Sequence, residues 1–535
     1  MSNDRIIYLI KFEMEDKQYV VVIDAGTQSI RAAIIDLNGN ICEIEKTQVE
    51  PYFTEKPGYA EQDPEYLWDK LCETTKCLMK NSSIDISCIK GLSITSQRGT
   101  VVNLDKHGKP LRPAIIWLDQ RKAKLDNWPK GVVKRGLQII NMYESLAHAI
   151  KDGESNWIRQ NEPEIWQKTH KYVFLSAFYN HRLVGKFIDS LGSTVGYMPF
   201  NYKKHEWSRP GAINSKLFPI EREKLVDLVK PSELLGEITE KASEQTGLPE
   251  GISVIAAAAD KACEVLGSGC LSPEIACLSY GTTATVETVN NKYVEVVKFF
   301  PSYPSAIPNH FNTEVMIYRG YWMINWFKEE FGHKEIELAK HTGKSPEELF
   351  DEMIKEIPAG SMGLTLQPYW SPGVKKPGIE AKGAVIGFGD VHTRAHLYRA
   401  ILEGLTYALK EGAMQTQKRT GVKIQKLRVS GGGSQSKNAM QMTADIFDMP
   451  VEKPHTYETS ALGAAINCVV GLKLYPDFKT AIDNMCRVGE TYFPNPENRD
   501  IYKKIFKKVY KKMYKQLKPI YHDIRDITDY PKREI

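Results

Sequence analysis

The sequence has no CxxC pair, no long apolar run, no low-complexity tract and no dominant charge of one sign, and each absence closes off a class of protein. Nine cysteines (Cys42, Cys72, Cys77, Cys88, Cys263, Cys270, Cys277, Cys468 and Cys486) are scattered through apolar segments as an odd set. They argue against a disulfide scaffold and read as reduced, buried thiols. The apolar run Ile6 to Ile10 is cut off by Lys11, too short for a signal-peptide core or a membrane span, so a cytoplasmic protein with no membrane partner is expected. A net charge of +5, left by 71 basic and 66 acidic side chains, sets up no field that would call for nucleic acid. What is present is a globular composition over 535 residues, room for two large lobes.

Those lobes announce themselves as two similar hairpins. A β-branched strand through Val20 to Ile23 turns at Ala25-Gly26-Thr27 and returns from Ile30 to Asp36, with Asn38-Gly39 closing another turn. Half a chain later Ile275 to Ser279 turns at Gly281-Thr282-Thr283 and returns from Ala284 to Val289. Apolar runs at Ile89 to Thr95 and Ile252 to Ala259 read as buried strands between helical stretches, which predicts α/β layering. Ile424 to Val429 leads through Gly431-Gly432-Gly433 into a helix over Ser436 to Phe447, and a small-residue helix is expected over Ala461 to Val470. Towards the end, Tyr502, Ile505, Phe506, Val509, Tyr510, Met513 and Leu517 fall at helical spacing amid lysines, the pattern of a terminal helix docked by one face or, as the alternative, of one that meets a membrane surface or an acidic partner.

Candidate chemistry gathers at the turns. In the first, Gly26, Thr27, Gln28 and Ser29 can present backbone N–H groups to phosphate oxygens, and Asp24 at the strand end is suited to Mg²⁺, held through water. Gly281, Thr282 and Thr283 offer a second cradle of the same kind, so a nucleotide tail clamped from both sides competes with two plain turns. Asp260 closes an apolar strand, where it reads either as a general base for a substrate hydroxyl or as a helix N-cap. Gly432 and Gly433 at a strand–helix junction can pass beneath an adenine or ribose ring, although the full GxGxxG pattern is missing. Gln97, Arg98, Trp117, Asp119, Gln120 and Arg121 supply planar and charged groups for a polyhydroxylated substrate, or else simply an exposed polar loop.

Taken together these segments resemble the FGGY family of carbohydrate kinases, whose fold is similar to that of actin and the heat-shock chaperone ATPases. The stretches that carry the resemblance are DAGTQSIR (Asp24 to Arg31), PGYAEQDPEYLW (Pro57 to Trp68) and, most specific, GAVIGFGDVHTRAHLYRAILEGL (Gly383 to Leu405), similar to the family's C-terminal signature. The resemblance implies two actin-like, ribonuclease H-like α/β lobes flanking a central cleft, with Asp260 as catalytic base, Asp24 positioning Mg²⁺ and the Thr27 and Thr282 turns on the ATP phosphates. It also implies adenosine contacts by Gly432, Gly433 and Asn438. The chain departs from the family in placing Ala256 to Ala259, not glycines, before Asp260, and four methyl groups are expected to crowd that turn.

The expected layout is a sugar-binding lobe over 1–270, an ATP-binding lobe over 271–490 and a basic helical extension over 491–535. A small sugar or polyol of the ketopentose or polyol type is the expected substrate, held by Gln97, Arg98, Trp117, Asp119, Arg121 and Asp260, with ATP and Mg²⁺ opposite and a homodimer as one open assembly. The rival is an actin-like ATPase serving as a structural, chaperone or sensor module.

Overall fold

A computed structural model describes residues 17–50, 52–125, 134–135, 143–298, 300–371, 377–378 and 380–530. The first sheet is built from β1 (Tyr19–Ala25), β2 (Ser29–Asp36), β3 (Ile41–Gln48), β4 (Ile89–Ser96), β5 (Leu234–Glu237) and β6 (Ser253–Ala256). Its spatial order is β3-β2-β1-β4-β6-β5, antiparallel at both ends and parallel between β1, β4 and β6. The second sheet comprises β7 (Ile275–Tyr280), β8 (Ala284–Asn290), β9 (Tyr303–Pro304), β10 (Phe311–Ile317), β11 (Lys426–Ser430), β12 (Val451–Pro454) and β13 (Val488–Tyr492). Its order, β9-β10-β8-β7-β11-β12-β13, repeats the same sequence of strand directions after the short edge strand β9. The chain is therefore two copies of one design.

The helices that matter to the site are α1 (Pro64–Asn81), α2 (Asp260–Gly267), α3 (Pro346–Met353), α4 (Arg394–Thr420), α5 (Lys437–Phe447) and α6 (Thr459–Gly471). Side chains alternate faces along a strand, and β1 is buried on both. Val21, Ile23 and Ala25 pack into a core with Leu67, Trp68 and Leu71 of α1. Val20 and Val22 instead face Ala262 and Cys263 of α2 and Ala461 and Leu462 of α6. Asp24 is in step with Val20 and Val22, so the pleat aims it at the space between the lobes. The same parity in β7 buries Ala276, Leu278 and Tyr280 in the second core and turns Cys277 and Ser279 toward the first lobe.

Helices α2 and α6 each follow the third parallel strand of their sheet and cross at two glycines. A Cβ on Gly267 would sit 1.9 Å from the Thr459 carbonyl oxygen, and one on Gly463 would sit 1.9 Å from that of Cys263. Only residues without a side chain allow so close a crossing.

Further along, Pro496–Ile505, a π-helical turn at Phe506–Tyr510 and Lys511–Thr528 form the terminal helical run, docked on the second lobe through Tyr502, Phe506 and Tyr510. Cys72, Cys263, Cys270, Cys277 and Cys468 are buried thiols, whereas Cys42 and Cys77 are exposed, since both sit on outward faces of β3 and α1. No helix among the described residues is long and apolar enough to cross a membrane.

Candidate active site

The first turn is tied into its lobe by a closed ring of hydrogen bonds. The Thr27 hydroxyl donates to Gln97 Oε1 (2.6 Å) and accepts from Trp117 Nε1 (3.1 Å). Gln97 Nε2 donates to Gln62 Oε1 (2.8 Å), and Gln62 Nε2 returns to the Thr27 carbonyl (3.1 Å). Gly26 N–H is spent on the Ser29 carbonyl (3.0 Å), which closes the turn. Among the described residues the N–H groups of Thr27 and Gln28 have no main-chain acceptor. Backbone donors, not the threonine hydroxyl, are what this turn offers to a ligand.

The second turn is arranged in the same sense. The Gly281 and Thr282 carbonyls accept from Tyr321 N (3.0 Å) and Gly320 N (2.9 Å), while the N–H groups of 281–283 have no main-chain acceptor among the described residues. Beside it Tyr280 stacks on Tyr321 at 4.4 Å between ring centres. A Cβ on Gly433 would run into the Tyr321 ring at 2.3 Å, whereas one on Gly432 would meet nothing within 4 Å, so Gly432 faces open space. Asn438, in α5, donates to the Asp351 carbonyl of α3 (2.9 Å), with Ser436 on the Asp351 carboxylate (2.8 Å), which bounds that space on one side.

Asp24 and Asp260 come together in the gap. Burial pushes the Asp24 carboxyl up to about 7; Arg31 (3.5 Å) opposes the shift, and Asp260 and Glu458 add to it. Arg31 is in turn held by Glu458 at the head of α6 (3.2 Å). Asp260 is the first residue of α2. Its Oδ1 accepts from Lys261 N (2.8 Å), and Oδ2 has no partner among the described residues. Burial raises its pKa too, against the pull of Lys261 and Arg98. The alanines before it fit without crowding, because Ala258 packs where Gly192 has no side chain: a Cβ there would lie 2.6 Å from the Ala258 methyl. Thr95 and Ser93 pin the Ala258 and Ile255 carbonyls at 2.8 Å, which fixes the approach to Asp260.

The substrate candidates divide into two groups. Arg121 is 2 % exposed at its side chain, gripped by Asp119 (2.7 Å) and Glu61 (2.8 Å) and sandwiched between Tyr59 and Trp157 at 4.0 and 4.6 Å. Asp119 also accepts from Ala60 N (2.7 Å), so this pair fastens the loop to the segment 57–62 and has little left for a ligand. Trp117 on the same loop is 38 % exposed, and its ring is open to a ligand. Arg98 crosses to the other lobe, paired with Glu314 of β10 at 2.7 Å beside Glu287, whose pKa burial and Glu314 raise well above normal.

Several residues escaped the sequence reading. Lys261 reaches Ser279 of β7 (2.5 Å) and Glu264 (2.7 Å), and Glu264 accepts from Ser430 of β11 (2.5 Å). Burial works against the Lys261 charge, but Glu264 and Asp260 overcome it and leave its pKa raised. A Cβ on Gly281 would stand 3.9 Å from its ammonium, so Lys261 places a positive charge between Asp260 and the second turn. Its only signal in the sequence was adjacency to Asp260.

Comparison with known proteins meets this geometry. Residues 19–267 match the N-terminal domain, and residues 276–472 the C-terminal domain, of the FGGY family of carbohydrate kinases. The chain belongs to this family. It is 31 % identical to the uncharacterized sugar kinase YgcE of Escherichia coli, over 91 % of each chain. It is 28 % identical to a xylulose kinase of Staphylococcus epidermidis, covering 91 % of this chain and 95 % of that one. The crystal structure of xylulose kinase from Rhodospirillum rubrum superposes with a TM-score of 0.77 at 22 % identity, covering 94 % of this chain and all of the other. The fold is thus the two-lobed, actin-like one expected, and the protein is a carbohydrate kinase, for which the family implies ATP as phosphoryl donor. The rival of an actin-like ATPase serving as a structural, chaperone or sensor module falls with that assignment.

Proposed function

We propose that the protein transfers the γ-phosphoryl group of ATP to a hydroxyl of a small sugar or polyol, of the ketopentose or polyol type, with Asp260 as general base. The observation that carries this reading is a carboxylate of raised pKa at the lip of α2, one oxygen held by Lys261 N–H and the other unpartnered. A base so placed takes the hydroxyl proton on Oδ2 as the substrate oxygen bonds to phosphorus and the bond to the ADP oxygen breaks. The N–H groups of Thr27, Gln28 and the 281–283 turn donate to phosphate oxygens, Gly432, Gly433 and Asn438 border the adenosine, and Trp117 and Arg98 face the sugar beside Gln97. Asp119 and Arg121 act through the Trp117 loop they anchor. Asp24 fits Mg²⁺, since a buried carboxyl with a raised pKa gains most from a cation, and the ion would neutralise charge on the phosphates. Among the relatives, names as xylulose kinases favour a ketopentose.

A coupled ADP-release screen over ketopentoses, polyols and hexuloses against a no-sugar control tests the reading, and ADP release indifferent to every sugar refutes it. Asp260→Asn is expected to keep sugar and ATP binding and to lose about 10²- to 10⁴-fold in kcat, the usual contribution of a positioned base. Near-normal turnover in that variant removes Asp260 from the role.

A further inference from the structure

A second cavity, of about 370 Å³, opens between the lobes away from the two turns. Phe311 on its wall pairs with Asn290 at one end of β10, whereas Ile317 at the other end pairs with Ala284 beside the Gly281 turn. Six strand steps separate them, about 20 Å. The first lobe contributes Lys203, Lys204 and His205 from the turn between the short strands Phe200–Asn201 and Glu206–Trp207, and Lys230 after Asp227–Val229. The second contributes Ser305 and Asn309 from the β9–β10 turn.

Among the described residues, three lysines line this cavity and no carboxylate does. Lys204 keeps a loose, exposed contact with Glu206 at 3.9 Å, and among the described residues the ammonium groups of Lys203 and Lys230 have no carboxylate partner. The His205 ring packs against Phe311 with centres 4.5 Å apart and planes tilted by 45°, and its Nε2 is buried without a hydrogen-bond partner among the described residues. Burial, and to a smaller extent the nearby charge of Lys230, lowers its pKa. The backbone around the cavity is strained as well: His205, Ser232 and Asn309 all hold positive φ (56°, 66° and 62°), a conformation that non-glycine residues keep only where the surroundings enforce it. Both walls are tied to the central helix, because Asn467 of α6 donates to Ser232 Oγ (3.1 Å) and to the Ala306 carbonyl (2.8 Å).

We propose that this cavity binds a small phosphate-bearing anion, and that a ligand held there links the two lobes at the side remote from catalysis. Uncompensated cations converging on one concavity lower their mutual repulsion by taking up an anion, and Ser305 and Asn309 add neutral donors from the facing lobe. The volume falls within the range of small-molecule sites and admits a phosphate with a pentose-sized body. A ligand contacting both walls restricts their relative motion, so occupancy at this site is coupled to lobe closure.

The test is isothermal titration of the full-length chain with inorganic phosphate and with ribose 5-phosphate, ADP being present to occupy the nucleotide turns. Saturable one-site binding is expected, falling at least tenfold in Lys203→Gln/Lys230→Gln and about threefold in the exposed Lys204→Gln, as expected for lost charge-assisted contacts. Tighter binding of ribose 5-phosphate assigns a phosphate ester as the ligand, and equal or weaker binding assigns inorganic phosphate. Absence of saturable binding for both probes, or variants that bind like the parent, overturns the proposal. ADP affinity is read in a separate titration of each protein without phosphate ligands, so a failure of the kinase reading is seen apart from a failure at this cavity.

Discussion

Asp24→Asn separates what the carboxylate does for a ligand from what it costs the fold. Burial carries this carboxyl from 3.8 to about 7, so between those values the folded protein binds a proton that the unfolded chain releases. The sign follows: its contribution is neutral below pH 3.8, stability is lost as pH rises toward 7, and above that the full cost of a buried carboxylate persists. About three pH units at 1.36 kcal/mol each give about 4 kcal/mol as an upper bound. Asparagine removes that cost, and Arg31 keeps Glu458 as a partner at 3.2 Å. With roughly 2.1 cal/mol/K per residue over a lobe of about 250 residues, each kcal/mol moves Tm by about 2 °C. The variant should therefore melt up to about 8 °C above the parent at pH 8, the gap closing toward pH 4. Scanning calorimetry without nucleotide or magnesium, at intervals from pH 4 to 8, measures it, with turnover assayed alongside and expected to collapse. Parallel melting curves at every pH would refute the claim that the cleft penalises this charge.

Thr27→Val keeps the shape but opens the hydrogen-bonded ring to Gln97 and Trp117, so kcat/KM for the sugar should fall about tenfold while KM for ATP moves less than twofold; an equal loss on ATP would mean that the hydroxyl itself meets phosphate. Arg98→Gln leaves Glu314 buried beside Glu287 without its cation, and should destabilise the chain by about 3–5 kcal/mol in denaturant titration, with partial recovery in the double variant that adds Glu314→Gln. Gly463→Ala drives a methyl to within 1.9 Å of the Cys263 carbonyl and should lower Tm more than any of these, since backbone, not a flexible side chain, must give way. An unchanged Tm would show that α2 and α6 can part without penalty.

How far the sequence alone reaches depends on the range of the interaction. The two hairpins, the glycine-rich strand–helix junction and the α6 helix were legible because period and turn chemistry are local. The alternation along Tyr19–Ala25 even carries the aim of Asp24, once both faces are known to be buried. Pairing was not legible: Arg98 meets Glu314 across 216 positions, and nothing near either residue names the other. Arg121 looked like a hydroxyl reader because a loop with Trp, Asp and Arg has the right chemistry, and only tertiary packing shows its guanidinium consumed by Asp119 and Glu61. The crossing of α2 and α6 did leave a trace, in glycines at Gly267 and Gly463 inside helical stretches, where their entropic cost demands a packing reason.

The duplication then explains how the interface between the lobes divides its labour. At its centre, backbone meets backbone across Gly267 and Gly463, a contact with no adjustable side chain to absorb a displacement. On the cleft side the lobes meet through side-chain polar contacts: Lys261 to Ser279, Glu264 to Ser430, Arg98 to Glu314. Such contacts exchange for ligand or water at a net cost of about 0.5–3 kcal/mol each, whereas prising the helices apart forfeits a packed core. On the proposed function, a sugar entering the cleft would compete for Arg98, and phosphate oxygens at the Gly281 turn would compete for Lys261. On that reading, ligand binding would be coupled to the release of these links, giving both substrates a means of changing the lobe angle while the helix crossing stays fixed.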